Sequence, residues 1–492
     1  MLFTSPRFFC FLIGTLILLA VIRQKQTKKH ALAFASCFFY AAWDWRYLGL
    51  LLVISVIDYY AAYRISSTIF QASKKRWLLF SIVTNLGVLG YFKYCNFFID
   101  NFNTLTSGFG FTIPGIELIL PAGISFYTFK TMSYTIDVYR GTLSPCKSWL
   151  DYATFITFFP ELIAGPIVRG SVFLPQMDRL IGPTTERLVS GSSIFLIGLV
   201  KKLLIADRMA VIADPVFANP EIFTTTAVWC AVLAYTIQIY CDFSGYSDMA
   251  IGTARMIGYD LPENFAMPYI STDITEFWRR WHMTLSTWLK DYLYIPLGGN
   301  RGGELLTYRN LFLTMLLGGL WHGASWNFVL WGGLHGLALA AHKLWRKHLG
   351  MRIAIPKAVC WGLTLIFVML TWVPFRSTSL GDTVILLKSM AGFALGNYNW
   401  VPVWLFYSLF VCLVAHFVGW HIEKSINRSL KPDWLGRVLR WFGVSIVAHP
   451  VTGPYVVPNS VTILGSYFFL MMLLLIYFFA PLSMNPFIYF QF

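Results

Sequence analysis

Two histidines stand out because they lie in parts of the sequence that carry little other charge. His322 falls within residues 311–341, a run of 31 residues that contains no Asp, Glu, Lys or Arg. Burial favours the neutral form of an imidazole, which offers one hydrogen-bond donor and one acceptor. A neutral imidazole can take the proton of a hydroxyl group, so His322 is a candidate general base. A histidine that only packs between helices is the alternative.

His282 lies in a second stretch, residues 272–303, in which aromatic residues recur at helical spacing. Asp273 followed by Glu276 resembles a capping box at the start of a helix. The residues that would share one face of this helix are Trp278, Trp281, His282, Leu285, Trp288, Leu289 and Tyr292. We predict a single amphipathic helix at the membrane–water boundary, with His282 on its aromatic face. The alternative for His282 is a core histidine bonded to a neighbour.

Other ionisable residues occur in apolar surroundings broken by Gly and Pro. They are Lys130, Asp137, Arg140, Glu161, Arg169, Asp242 and Asp248. Ionisable residues inside membrane segments are costly and point to a functional site by default, although ion pairs that hold broken helices together are the simpler explanation. His335 and His342 lack a third ligand, so we predict no metal site. The chain has no G-x-S-x-G, P-loop or G-x-G-x-x-G motif, which leaves hydrolase and nucleotide-binding functions without support.

The composition indicates the environment in which these residues work. The chain is 57% hydrophobic and only 12% charged, whereas soluble domains carry about 25% charged residues. We therefore predict an integral membrane protein. The net charge of +15 lies mostly in short loops, as the positive-inside rule expects, and does not indicate nucleic-acid binding. The eight cysteines are scattered without a CxxC motif, which favours buried thiols over disulfides or zinc.

The apolar segments predict an all-α, polytopic helical bundle with about 11 membrane spans. Basic loops at 23–30 and 74–76 place the N-terminus outside the cytosol. The clearest spans are 8–22, 31–43, 47–63, 77–98, 357–375, 402–420 and 461–480. A further basic loop is expected at 424–440.

The middle of the chain is less regular, because Gly and Pro interrupt its apolar segments. Irregular backbone at membrane depth persists only where protein or a water-filled cavity surrounds it. We therefore predict broken or re-entrant helices around an internal cavity. No linker divides the chain, so we expect one domain over 1–492, with N-terminal spans in 1–115, a core that contains both histidine motifs in 116–345 and C-terminal spans in 346–492.

Two histidine motifs carry a family resemblance. The segment "FWRRWHMTLSTWLKDYLYIPLGGNR" is followed by "GGLWHGASWNFVLWGGLHG", with 40 residues from His282 to His322. Together they resemble the membrane-bound O-acyltransferase family, in the branch of alginate O-acetyltransferases and related enzymes that acetylate bacterial polysaccharides. The segments "GISFYTFKTMSYTIDVYRG", "FFPELIAGPIVRG", "CDFSGYSDMAIG" and "NPFIYFQF" are similar to the same branch.

The resemblance implies a helical bundle around a transmembrane tunnel, with His322 as the catalytic residue and His282 as a second active-site residue. It implies no tightly bound cofactor and a cytosolic acetyl donor, for which acetyl-CoA is the expected molecule. The acetyl group would cross the bacterial inner membrane to a periplasmic partner of the SGNH-hydrolase type, which acetylates an exported polysaccharide such as alginate. Candidates for the substrate and tunnel lining are Trp278, Trp281, Trp288, Trp321, Ser325, Asn327, Asp242, Asp248, Glu161 and Lys130.

The chain departs from the family pattern at two positions. Lys130 and Glu161 stand where the branch leads us to expect Gln, and they could form a pair. This departure leaves the polysaccharide open, because cellulose and peptidoglycan are also modified by close relatives. Two alternative functions remain: transfer of D-alanine to teichoic acid within the same family, and a channel or polysaccharide transporter without acyl chemistry.

The chemical hypothesis assigns one role to each histidine. His322 accepts the proton of the acceptor hydroxyl as the hydroxyl oxygen attacks the acetyl thioester. A dry cavity strengthens the electrostatic stabilisation of the developing oxyanion. His282 either donates a hydrogen bond to that oxyanion or orients the acyl donor.

Overall fold

The computed structural model describes residues 1–179, 182–348, 350, 355–427, 444–449, 453–458, 463–480 and 487–488. The described chain forms two compact units. The first contains residues 1–192 and 250–262, and the second contains 193–249 and 263–492. The core predicted over 116–345 contributes residues to both units.

The first unit is built from helices. They are α1 (Pro6–Val21), α2 (Lys25–Ser67), α3 (Gln71–Leu89), α4 (Cys95–Thr106), α5 (Ile124–Arg140), α6 (Trp149–Thr157) and α7 (Gly170–Met177). The segments predicted as spans 31–43 and 47–63 lie within α2 and meet at a kink where Asp44 leaves helical geometry (φ −159°, ψ 113°). The carboxylate of Asp44 accepts the backbone N–H of Arg46 at 3.0 Å, which caps the helical turn that restarts after the kink.

The helices α8 (Thr185–Val200) and α10 (Thr225–Ile257) contribute residues to both units. The second unit also contains α9 (Asp207–Ala218), α11 (Ile274–Arg280), α12 (Met283–Leu289), α13 (Glu304–His322), α14 (Trp326–His348), α15 (Lys357–Arg376), α16 (Leu380–Met390), α17 (Val403–Asn427) and α18 (Ile463–Phe479). Between α17 and α18, strands β1 (Val444–His449) and β2 (Gly453–Pro458) form an antiparallel hairpin. The other described elements are helices, which agrees with the predicted all-α class.

Among the described residues, six helices are long and apolar enough to cross a membrane. They are Lys25–Ser67, Gln71–Phe109, Thr185–Ala218, Thr225–Ile257, Lys357–Arg376 and Val403–His421. Large apolar side chains on these helices are exposed, including Phe34 and Phe410, as expected for surfaces that face lipid. The protein is therefore a multi-pass membrane protein, while the prediction of about 11 spans stays a prediction. Most of the basic loop expected at 424–440 lies outside the described residues.

Helices α13 and α14 form a close antiparallel hairpin that carries His322 at its turn. A Cβ atom at Gly319 would overlap the carbonyl of Phe328, and one at Gly332 would overlap the carbonyl of Met315. Glycine at both positions lets the two helix backbones approach closely. The hairpin thereby fixes the end of α13 against the start of α14.

Candidate active site

His282 lies at a break between two short helices. Asp273 caps α11, because its carboxylate accepts the N–H of Glu276 at 2.8 Å; the Glu276 carboxylate accepts the N–H of Thr272 at 3.0 Å. Helix α11 ends at Arg280, and His282 adopts left-handed backbone geometry (φ 41°, ψ 56°) before α12 begins. The prediction of one continuous amphipathic helix was therefore wrong. The aromatic spacing continues through a point where the backbone turns.

The left-handed backbone geometry of His282 is informative because residues other than glycine rarely adopt it. Among the described residues other than glycine, only Met267 and His282 have positive φ values. Such a conformation costs on the order of 1–3 kcal/mol unless the surroundings compensate, and it occurs often at functional sites. Here the Nδ1 atom of His282 lies 3.0 Å from the Oδ1 atom of Asn264, and the side chain is fully buried.

His322 is the last residue of α13, and its ring is enclosed by aromatic side chains. The ring centroids of Trp331 and Phe375 each lie 5.1 Å from that of His322. The helix ends here because Gly323 is extended (φ −167°, ψ 157°), and α14 then returns along α13. His322 and His335 therefore do not lie on one straight helix. Both rings flank Trp331, with His335 at 4.7 Å.

Trp321 lies next to both candidate catalytic histidines. Its ring centroid is 6.2 Å from His282 and 4.9 Å from His322, both in edge-to-face geometry. The structure thus brings together two residues that are 40 positions apart in the sequence. The family resemblance implied that both imidazoles belong to one active site, and that assignment stays a prediction.

Three other predicted tryptophans are buried around this centre. The indole N–H of Trp278 donates to Nδ1 of His335 at 3.2 Å. The ring of Trp281 packs on Trp372 with centroids 5.0 Å apart. The ring of Trp288 packs on Tyr292 at 5.1 Å. These contacts bury Trp278 against His335 and Trp281 against Trp372, while Trp288 packs within the α12 region.

A cavity of about 640 Å³ lies within the second unit, between α11, α12, α13 and α14. Trp278, Ser286 and Leu289 line it, and the N–H of Ser286 donates to the carbonyl of His282 at 2.9 Å. The lining of the cavity at Ser286 is therefore about one helical turn, roughly 5.4 Å along the axis, from His282. The lining carries six basic side chains: Arg279, Lys290, His342, Lys343, Arg346 and Lys347.

Burial lowers the basicity of His282 and His342, both of which lie outside the six candidate spans. Burial lowers the pKa of His282 to about 3, and no charged side chain contributes to this shift. Burial also lowers the pKa of His342, while the carboxylate of Asp273 raises it. His282 is therefore neutral at pH 7.

The acidic candidates Asp242 and Asp248 are held in ion pairs. Asp242 lies 2.6 Å from the ammonium of Lys202, and its other oxygen accepts the N–H of Ile488 at 2.7 Å. Asp248 lies 2.7 Å from the ammonium of Lys201. These bonds favour a structural role for both carboxylates.

Lys130 and Glu161 belong to the first unit and bind each other. The ammonium of Lys130 lies 2.6 Å from the carboxylate of Glu161, and both side chains are almost completely buried. The same ammonium also donates to the carbonyl of Phe155 at 2.7 Å. The pairing that the sequence left open is therefore present.

Ser325 and Asn327 organise the start of α14. The hydroxyl of Ser325 accepts the N–H of Asn327 at 3.2 Å. The amide of Asn327 donates to the carbonyl of Ser377 at 2.8 Å and accepts from the hydroxyl of Thr383 at 3.1 Å. In these contacts both residues support the hairpin.

Sequence reasoning missed Asn264 and undervalued the basic end of α14. Asn264 is 18 residues before His282 and shares no helical periodicity with it. Lys343, Arg346 and Lys347 follow the charge-free run 311–341, and the sequence analysis did not single them out. Their helical spacing was the one signal that they share a face.

Comparison with known proteins identifies the family. The sequence model of the membrane-bound O-acyltransferase family matches residues 47–380. The chain is 45% identical over 387 residues to the "Probable alginate O-acetylase AlgI" of Azotobacter vinelandii, covering 77% of this chain and 76% of that one. It is 42% identical over 427 residues to a peptidoglycan O-acetyltransferase of Helicobacter pylori, covering 80% of each chain.

A more distant relative extends the chemistry of the group. The chain is 28% identical over 255 residues to a teichoic acid D-alanyltransferase of Streptococcus thermophilus, covering 48% of this chain and 60% of that one. The family model and the relatives together show that the chain belongs to the membrane-bound O-acyltransferase family and is an O-acyltransferase.

Proposed function

We propose that this O-acyltransferase moves an acetyl group from a cytosolic donor across the bacterial inner membrane for O-acetylation of an exported polysaccharide. The names of the two similar relatives, an alginate O-acetylase and a peptidoglycan O-acetyltransferase, support acetyl transfer to a glycan. The observation that carries the proposal is the pair of buried imidazoles on Trp321. An alginate-like polymer is the proposed final acceptor, reached through a periplasmic partner of the SGNH-hydrolase type.

The proposed donor is acetyl-CoA, used as a substrate and not as a resident cofactor. Guanidinium and ammonium groups bind phosphate through charge-assisted hydrogen bonds. The basic cavity offers Arg279, Lys343 and Arg346 for this purpose. A donor whose phosphates occupy the cavity would have its thioester chain directed along α12, toward His282.

The proposed chemistry is a direct acyl transfer. The hydroxyl oxygen of the acceptor forms a bond to the acetyl carbon while His322 takes the hydroxyl proton, and the carbon–sulfur bond then breaks. The leaving thiolate recovers a proton from the imidazolium, so the thiol is released and His322 is neutral again. Aromatic walls exclude water, which strengthens electrostatic stabilisation of the oxyanion.

The same family supplies an alternative donor. The name of one relative, a teichoic acid D-alanyltransferase, makes a D-alanyl group the alternative to acetyl. In that case the same two histidines would serve the transfer, with a carrier protein as the donor. The higher identity to the two O-acetyltransferases favours acetyl. A channel or transporter without acyl chemistry does not fit an O-acyltransferase.

A labelled-acetyl assay tests the proposal. Purified protein in proteoliposomes is given radiolabelled acetyl-CoA with and without the candidate periplasmic partner and an alginate oligosaccharide. We expect label in the polysaccharide only when the partner and intact His322 are both present. The contrary outcome is transfer of D-alanine from a charged carrier protein without any transfer of acetyl from acetyl-CoA. That outcome would identify D-alanyl, and not acetyl, as the transferred group.

A further inference from the structure

Asn264 makes an unusual number of contacts with the helix break that presents His282. Its side-chain oxygen Oδ1 lies 3.0 Å from Nδ1 of His282, 2.9 Å from the hydroxyl of Thr284 and 3.3 Å from the N–H of Thr284. Its backbone carbonyl accepts the N–H of Met283 at 2.9 Å. The first two N–H groups of α12 are therefore satisfied by this one residue, which stabilises the break.

These contacts fix the orientation of the Asn264 amide. A backbone N–H can only donate, so the atom that faces Thr284 must be the amide oxygen and not the amide nitrogen. The amide nitrogen then donates to the hydroxyl of Ser247 at 3.3 Å. Because an amide oxygen can only accept, the Nδ1 atom of His282 must carry the hydrogen that lies between them.

The other nitrogen of the same ring is consequently a base. A neutral imidazole has one N–H, so a hydrogen on Nδ1 leaves Nε2 with a lone pair. Nε2 of His282 is buried and has no hydrogen-bond partner among the described residues. An unsatisfied buried acceptor costs about 1–3 kcal/mol, which is a reason to expect a bound group at this atom.

The surroundings of the ring leave this tautomer undisturbed. Phe243 of α10 packs edge-on to His282 with centroids 4.7 Å apart. Trp321 of α13 lies at 6.2 Å and Phe265 at 6.4 Å. None of these three neighbours is charged, and the ring of Trp321 also contacts His322 at 4.9 Å. None of them forms a hydrogen bond to Nε2 of His282.

We propose that Asn264 is a positioning residue for acyl transfer: it holds His282 in the Nδ1–H tautomer so that Nε2 accepts a hydrogen bond from an N–H or O–H group of the acyl donor. This inference rests on the proposed function, which places His282 in the active site. Of the two roles that the sequence left open for His282, a neutral ring in this tautomer cannot donate to the oxyanion through Nε2. Orientation of the donor is the role that remains.

Three variants separate positioning from simple support of the fold. Asn264→Ala removes the acceptor, and we expect kcat to fall about 10- to 100-fold, as for other residues that orient a functional imidazole. Thr284→Val is the matched control, because it removes a different bond to the same oxygen and keeps the backbone N–H; its kcat should stay within about 2-fold of wild type. Asn264→Asp keeps an acceptor and should retain activity.

The pH dependence of activity in Asn264→Asp distinguishes the two roles, because a purely structural Asn264 would not affect it. A carboxylate against Nδ1 stabilises the imidazolium and raises the pKa of His282. The base form then needs a higher pH, so the acidic limb of activity should move upward relative to wild type. An unchanged profile in an active Asn264→Asp protein would contradict the proposal.

A double-mutant cycle completes the test. If Asn264 acts through His282, adding Asn264→Ala to His282→Ala should cost no further activity. Additive losses would overturn the proposal. If Asn264→Ala fails to accumulate in membranes, the pH profile of Asn264→Asp decides. Failure of the proposed function looks different, because the wild-type protein itself would then transfer no acetyl from acetyl-CoA.

Discussion

One site in each unit buries titratable groups, and the two sites resolve the cost of burial in opposite ways. In the first unit, Lys130 and Glu161 compensate each other at 2.6 Å with almost no exposure. In the second unit, His282 is kept neutral, and its Nε2 has no hydrogen-bond partner among the described residues. Charged groups in a dry interior need a partner, whereas a neutral base can remain available for a substrate. The comparison separates a structural ion pair from a neutral base that is available for chemistry.

The strongest way to break this comparison is to remove the proposed base. His322→Ala should lower acyl transfer by at least about 100-fold, since a general base contributes roughly 10²–10⁴-fold. The protein should still insert and purify normally, because the substitution shortens one side chain at the end of α13. The measurement is initial rate with labelled acetyl-CoA in proteoliposomes.

A matched control for His322→Ala is His30→Ala, which removes an exposed histidine of the first unit. We expect this control to keep the wild-type rate. Full acetylation by His322→Ala in the same assay would remove His322 from the proposed mechanism.

The second prediction concerns a variant that breaks the ion pair between Lys130 and Glu161. Glu161→Gln leaves the ammonium of Lys130 buried without its counter-ion, which should lower the free energy of unfolding by about 3–5 kcal/mol. Lys130→Gln together with Glu161→Gln removes both charges and should recover most of that loss. The measurement is thermal unfolding in detergent micelles.

The double variant also tests function. Acyl transfer per folded molecule should match wild type when both charges are removed. A double variant that is stable but inactive would mean that the pair takes part in chemistry, and the contrast between the units would fail.

Much of the second unit was predictable from sequence, and the misses have local causes. The motifs around His282 and His322 singled out both rings as candidates, because an imidazole in an apolar segment is conspicuous. The break at His282 was not predictable, since the aromatic spacing continues across it. It depends on Asn264, which reaches the break from another part of the chain. A contact of this kind leaves no periodic signal.

The first unit shows the opposite balance. The sequence placed apolar spans on both sides of Asp44, and the structure joins them in one kinked helix. The pairing of Lys130 with Glu161 was anticipated only as a possibility, because two charges 31 residues apart need a tertiary fold to meet. The basic cavity was missed for the same reason, since its lining comes from four helices.

The third prediction concerns binding at the cavity. Arg346→Ala should raise KM for acetyl-CoA by about 10-fold and leave kcat unchanged, because a phosphate contact distant from the thioester acts equally on ground and transition states. Raising the salt concentration should reduce the difference in KM between Arg346→Ala and wild type, because salt screens the phosphate contact. Lys388→Ala, which removes an exposed charge on α16 away from the cavity lining, should leave KM unchanged. An unaltered KM in Arg346→Ala would remove the cavity from donor binding.

The smallest expected effect concerns stability and compares the ion pair Lys201–Asp248 with the ion pair Lys130–Glu161. Lys201 and Asp248 also lie 2.7 Å apart, but their side chains retain 25% and 20% exposure. Partial exposure lets water or lipid headgroups stabilise a lone ammonium, so Asp248→Asn should lower the free energy of unfolding by only about 1 kcal/mol. The measurement is the same thermal unfolding used for Glu161→Gln. An equal loss of unfolding free energy in Asp248→Asn and Glu161→Gln would mean that burial does not set the cost of losing a counter-ion. The contrast between ion-paired groups and an available neutral base would then need another cause.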